Sequence, residues 1–299
     1  MRANHRARSE NYRQASFGSI LIAPQVIGFA LFVAYPLFEV FRLSLHRVNS
    51  LTGEETFIGL DNFAKMAADP ETARILINTL FLAVILSVSE TVIALALAVL
   101  LNQRLPGINF FRAAIFVPAL VTMVAWTIVW GFILQPDGLL DWVWSLAGLS
   151  PVDWLRTDWL SLAILALVQM LKNVGLYMMI FLAALQSVPA ELVDASKVDG
   201  ANSWRSFRHI VIPQISPAIL MVFMLTIVGA FKVFDVIYIL TRGGPGVSTT
   251  VLSYAVYKAF AQNDIGYASA YGVVLFILIV VISAAIWQLR KRFVFHESE

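Results

Sequence analysis

The sequence predicts an all-α integral membrane protein with six transmembrane helices. Three observations carry that reading. Only 13% of the 299 residues are charged and 59% are hydrophobic, whereas a soluble domain carries about 25% charged residues. Mean hydropathy is +0.78. The apolar residues are also gathered into six runs, near 19–41, 75–101, 111–134, 159–186, 218–241 and 267–289. Each has the ~20 residues a helix needs to cross the hydrocarbon core, where lipid offers the backbone no hydrogen bonds.

The first run follows a basic tail, 1–18, as a secretory leader would. Its apolar stretch is too long for a leader and no small-residue cleavage site follows, so 19–43 is expected to stay as the first span. Pro24 and Pro36 are expected to kink it. Of the connections, 139–147 holds Trp142 and Trp144, which suits a short helix at the headgroups; a plain connector fits equally well.

Six spans place both termini on one side, and basic residues choose it. Arg2, Arg6, Arg8, Arg13, Arg104, Arg112, Lys197, Arg205, Arg208, Arg290, Lys291 and Arg292 make twelve on the side of the termini. Arg42, Arg47, Lys65, Arg74, Arg156, Arg242 and Lys258 make seven on the other. Both tails, 1–18 and 290–299, are therefore expected in the cytoplasm, with the connection between the fourth and fifth runs.

That connection, 187–217, is too polar to span and too patterned for a loose linker. Pro189 suits the first turn of a helix. Leu192, Ala195 and Val198 then share a face at spacing three. Gly200 can end the helix in the left-handed region. Ser203 is placed to cap a second helix, on which Trp204, Phe207 and Ile210 repeat the spacing, and Pro213 and Pro217 are expected to stop it. Two short amphipathic helices could fill a groove in a soluble partner or lie on lipid, and pattern alone does not choose.

The residue order does choose. Asp194-Ala195-Ser196, then Asp199-Gly200-Ala201, Trp204, Phe207, Ile210, Ile212-Pro213 and Pro217 resemble the EAA signature of permease subunits of binding-protein-dependent ABC importers. The chain departs from it at Asp194, where the family has Glu, and at Ser196, where it has Ala; both keep charge or size. Phe57 to Phe63, Phe111-Arg112 with Phe116-Val117-Pro118, and Phe234-Asp235 with Thr241 to Gly246 resemble further signatures of the carbohydrate-importer branch, typified by the maltose and glycerol-phosphate importers. The resemblance implies the type I ABC importer permease fold, with a transmembrane domain over 73–286. It implies a coupling role for Glu191, Asp194, Ala195, Ser196, Asp199, Gly200, Ala201, Trp204, Phe207 and Pro213. It also implies separate ABC ATPase subunits that bind ATP and Mg, a second homologous permease, and a periplasmic or extracellular solute-binding protein. The setting it implies is a bacterial inner membrane.

Ionisable groups inside spans cost about 2.5–3.5 kcal/mol on insertion scales. They are Glu90, Lys172, Lys232 and Asp235. Lys232 and Asp235, three apart, are expected to share a helix and can pair. Glu90 suits a packing or polar-cavity role. Lys172 precedes Asn173 and Tyr177-Met178-Met179, and in maltose-type permeases a Tyr-Met-Met stretch here belongs to the sugar site. The resemblance thus makes Lys172, Asn173, Tyr177, Thr226, Lys232 and Asp235 candidates for the substrate path. Ala230 and Val233, aligned with polar site residues of that relative, are apolar, so its specificity does not transfer. Two lysines on the path would favour an anionic sugar; Lys172 could instead snorkel or pair with another subunit.

Other classes fit poorly. The chain has no cysteine, and its four histidines stand apart in tails and connections, so cysteine chemistry is excluded and no metal site is expected. The net charge of +2 gives no footprint for nucleic acid. No phosphate-binding Gly-x-x-x-x-Gly-Lys-Ser/Thr loop occurs, so the chain is not expected to bind ATP, nor any cofactor. A membrane enzyme would need clustered catalytic groups inside the spans. A secondary transporter or channel would carry its own coupling-ion or selectivity device and would leave the 187–217 pattern unexplained.

Overall fold

The structure, a computed structural model, describes residues 21–49, 52–103, 105–150 and 152–293. The basic residues before position 21 and Arg104 lie outside these, as do the side chains of Arg290, Lys291 and Arg292. Among the described residues, six helical stretches are long and apolar enough to cross a bilayer.

Helix α1 (Leu21–Ser44) stands at the periphery and leaves most of its side chains uncovered. It is regular at Pro24, where a kink was expected. Ahead of Pro36 it widens into a π turn over Ala30–Ala34, with the Tyr35 amide reaching Ala30 O. A proline has no N–H for the ladder, and a wide turn absorbs the gap. A short hairpin that the pattern did not announce follows, β1 (His46–Val48) paired antiparallel with β2 (Glu55–Phe57). Helix α2 (Asp61–Ala68) fastens it: buried Asn62 donates through Nδ2 to Ser44 O at 2.8 Å and His46 O at 3.1 Å.

The centre is α3 (Pro70–Leu101), capped by Asp69 and opened by Pro70. It packs along α7 (Asp158–Gln186) and α10 (Ser216–Phe231). Its inward stripe carries small or polar residues, among them Asn78, Thr79, Ala83, Ser87, Ala94 and Ala98, all buried. Lipid is as apolar as leucine, so helices in a membrane gain by close approach, which small side chains permit. At one end Arg74 Nη2 of α3 donates to Asp158 Oδ1 of α7 at 2.9 Å and lies over the Trp159 ring.

The third run is not one helix. It forms α4 (Ile108–Leu120) and α5 (Met123–Leu134), separated by extended Val121 and Thr122. Pro118 weakens the last turn of α4, and the Thr122 hydroxyl accepts from the Ala125 amide to start α5. Helix α6 (Leu139–Leu146) follows. Trp142 is exposed, but Trp144 packs edge-on against Trp154, whose Nε1 donates to buried Asp141. α4 crosses α7 at Gly175, where a Cβ would sit 2.1 Å from Ile115 O.

After α7 come α8 (Ala190–Val198) and α9 (203–214). The fifth run is also divided, into α10 and α11 (Asp235–Leu240). A loop held by Thr241–Thr249 and Thr250–Gly243 contacts leads to α12 (Leu252–Ala261) and α13 (Ile265–Phe293). Asn78 of α3 donates to Val247 O and Thr250 O of that loop.

The crossing at Gly175 gives a prediction. Gly175→Val should destabilise the detergent-solubilised protein by about 1–3 kcal/mol, because overpacked backbone has nowhere to move. Gly229→Ala, whose new methyl would find its nearest atom at 3.9 Å, should be neutral or slightly stabilising. Thermal unfolding of the two variants checks both.

Candidate functional site

The connection between the fourth and fifth runs folds as two helices around Gly200. Helix α8 starts after Pro189, which stands one position ahead of the first turn instead of in it. It closes in a Schellman arrangement: Gly200 N–H donates to Lys197 O at 3.0 Å and Ala201 N–H to Ser196 O at 2.9 Å. Gly200 has φ +79°, the left-handed value that glycine adopts without strain.

The cap of α9 is Asn202, not Ser203: its side chain accepts from the Arg205 amide at 2.8 Å. Nor does Pro213 end this helix. A π turn over Phe207–Val211 precedes it, and helical backbone continues to Gln214. The extra residue in that turn accommodates the proline's missing donor. The stop falls at Ile215, and Pro217 opens α10.

What joins α8 to α9 is a pair of hydroxyls. Ser196 Oγ and Ser206 Oγ lie 2.6 Å apart, both residues buried. Ser196 already donates to Val193 O at 2.7 Å, so its single proton is used and Ser206 is the donor between them. The contact makes the two helices one body. The apolar stripe points away from it: Leu192 is 40% exposed, Val198 88% and Trp204 66%. Ala195 is exposed as well, while Phe207 is half-buried against Trp204. Glu191, Asp194 and Asp199 are exposed around the stripe, Asp194 paired with Lys197 at 2.8 Å. Ala201 and Pro213 are half-buried.

The ionisable residues of the spans are dispersed. Lys172 donates to Ala119 O at 3.4 Å, capping the carbonyl end of α4 where the third crossing breaks. Its neighbour Asn173 donates to Glu90 Oε1 at 3.3 Å, tying α7 to α3. Tyr177 and Thr226 are buried, and the Thr226 hydroxyl donates to Phe223 O. Ala230 and Val233 are buried too. Lys232 and Asp235 do not share a helix: α10 ends at Phe231, α11 begins at Asp235, and no ion pair joins the two side chains. Lys232 is exposed and Asp235 half-buried.

Ser206 and Asn202 escaped the sequence reading. Asn202 carried a signal, since asparagine caps as well as serine and stood one residue earlier. Ser206 carried none, because its partner is fixed only when α9 folds back on α8.

Residues 91–294 match the family described as "Binding-protein-dependent transport system inner membrane component". Among curated relatives, the trehalose/maltose transport system permease protein MalF of Thermococcus litoralis is 31% identical over 273 residues, covering 90% of this chain and 92% of its own. The probable ABC transporter permease protein YurN of Bacillus subtilis is 35% identical, with 91% and 94% covered. The arabinooligosaccharides transport system permease protein AraP of the same species is 31% identical, with 94% and 91% covered. Among solved structures, a chain of a bacterial alginate ABC transporter superposes with a TM-score of 0.84 over 95% of this chain and 96% of its own, at 21% identity. That likeness is one of fold, and the fold is the permease fold that the loop signature implied.

The Ser196–Ser206 contact is testable by a double-mutant cycle. Ser196→Ala alone strands a buried donor and should cost about 1–3 kcal/mol. Adding Ser206→Ala removes the stranded group and should restore part of that loss. Limited proteolysis between Gly200 and Asn202 reads the loosening.

Proposed function

The chain belongs to the family of binding-protein-dependent transport system inner membrane components, and we propose that it is the permease subunit of an ATP-driven importer, forming the translocation path for a sugar delivered by an external solute-binding protein. The observation that carries the reading is the loop around Gly200: a preformed apolar stripe, uncovered, on a body held rigid by its own hydrogen bonds. A surface that must transmit force needs that rigidity; a helix resting on lipid does not.

The loop lies between α7 and α10, the two spans that pack on α3. Docked in a groove of an ATPase subunit, it would pass the closure of two such subunits on ATP binding to both spans at once. ATP and Mg act on that partner. A second homologous permease completes the path. The excess of basic residues, which favours a cytoplasmic position for this loop and both tails, supports the arrangement, because ATP is there.

Relatives named for trehalose and maltose and for arabinooligosaccharides support a sugar as cargo. Lys172 donates to Ala119 O at the end of α4, and the sugars for which these relatives are named are neutral, so we favour a neutral saccharide. A secondary transporter would have no use for the loop.

The reading predicts that Gly200→Pro and Trp204→Asp leave the chain inserted in the membrane yet abolish uptake and the stimulation of ATP hydrolysis by the solute-binding protein. Reconstitution of the complex in proteoliposomes measures both. Stimulation equal to that of the parent would refute docking through this loop.

A further inference from the structure

The fifth crossing is broken where a continuous helix would satisfy its backbone most simply. Lys232, Val233 and Phe234 form the break between α10 and α11. Irregular backbone at membrane depth persists only where protein covers it or water reaches it. One side is covered: Val233 is buried, and its carbonyl accepts from the Ser253 hydroxyl of α12. The other side carries exposed Lys232 and half-buried Asp235, unpaired with each other. Placing such groups against hydrocarbon costs about 2.5–3.5 kcal/mol each. That side therefore faces water or polar protein.

Rings stand beside these charges. Tyr238 follows Asp235 by three on α11, so both share a face, and Tyr238 is 40% exposed. The Ser253 contact draws α12 alongside and presents Tyr257, 38% exposed, at 5.2 Å from Tyr238 between ring centroids. Phe234 stacks on Tyr238 at 5.4 Å and 14°, and buried Tyr254 backs the group. Tyr238 and Tyr257 stay partly exposed although the other rings pack against them, and Asp235 stands one helical turn before Tyr238. Saccharides use that combination, laying ring C–H groups on an aromatic face while a hydroxyl donates to an acidic oxygen.

We propose that Asp235, Tyr238 and Tyr257 form a saccharide-contacting surface at the break in the fifth span, with a neutral sugar ring packing against the exposed parts of the two tyrosines while a sugar hydroxyl donates to the Asp235 carboxylate. The proposal rests on the sugar-permease reading and adds the residues that touch the cargo. It places the contact apart from buried Tyr177 and Thr226.

The chain has no cysteine, so Tyr238→Cys and Tyr257→Cys each create a single thiol. In the reconstituted transporter a charged maleimide should label both, and saturating maltose, trehalose or arabinotriose should slow labelling at least threefold. In uptake assays with the same sugars, Tyr257→Leu and Asp235→Asn should raise the half-saturating concentration about tenfold, whereas Tyr257→Phe, which keeps the ring, should stay within threefold of the parent. If the parent takes up sugar while the thiols are unlabelled, or are labelled without protection, or if Tyr257→Leu transports like the parent, the surface is wrong and the sugar reading stands. If the parent takes up none of these sugars, both are wrong.

Discussion

Every interruption of a membrane helix frees backbone groups that lipid cannot satisfy, and among the described residues two of the six crossings are interrupted. Much of the architecture is arranged to receive those groups. Lys172 on α7 donates to Ala119 O at the end of α4, and the Thr122 hydroxyl accepts from the first turn of α5. At the second break the Ser253 hydroxyl of α12 donates to Val233 O. Each partner comes from another element or from the break itself. The breaks are therefore fixed features of the fold, and they determine how α7 and α12 sit beside them.

The same economy explains the polar residues of the spans. Lys172 and Asn173 are adjacent on α7 but reach different neighbours, one to α4 and one to Glu90 on α3. Small side chains bring these helices close, most tightly at Gly175, and the polar contacts fix their register. The interior is a tied bundle, while Lys232 is exposed and Asp235 half-buried. The loop between α7 and α10 is organised the other way round. Two of its hydroxyls, Ser196 and Ser206, are inside, and the apolar side chains of Leu192, Val198 and Trp204 are outside. Apolar side chains left in water are unfavourable unless something covers them.

The six crossings were legible because length and hydropathy are properties of each segment alone. So was the left-handed Gly200, since few other residues accept that conformation. Tyr177 and Thr226, candidates for the path, lie buried within this chain, and whether a side chain faces a path or a neighbouring helix depends on where that helix is. Lys232 and Asp235 were read as a helical pair, but the apolar run gave no sign that the helix would stop between them.

The sequence by itself determined that the chain crosses a membrane six times and carries a loop of two short amphipathic helices in the residue order of an importer permease. Those features depend on periodicity, on special backbone residues and on local order, all of which act within one turn or one segment. Only the tertiary structure decided that the third and fifth crossings are broken, that Ser196 finds Ser206, and that Lys172 serves a carbonyl 53 positions away in the chain. Each of these is a contact between segments, and its energy exists only once packing has brought the second partner within hydrogen-bond reach.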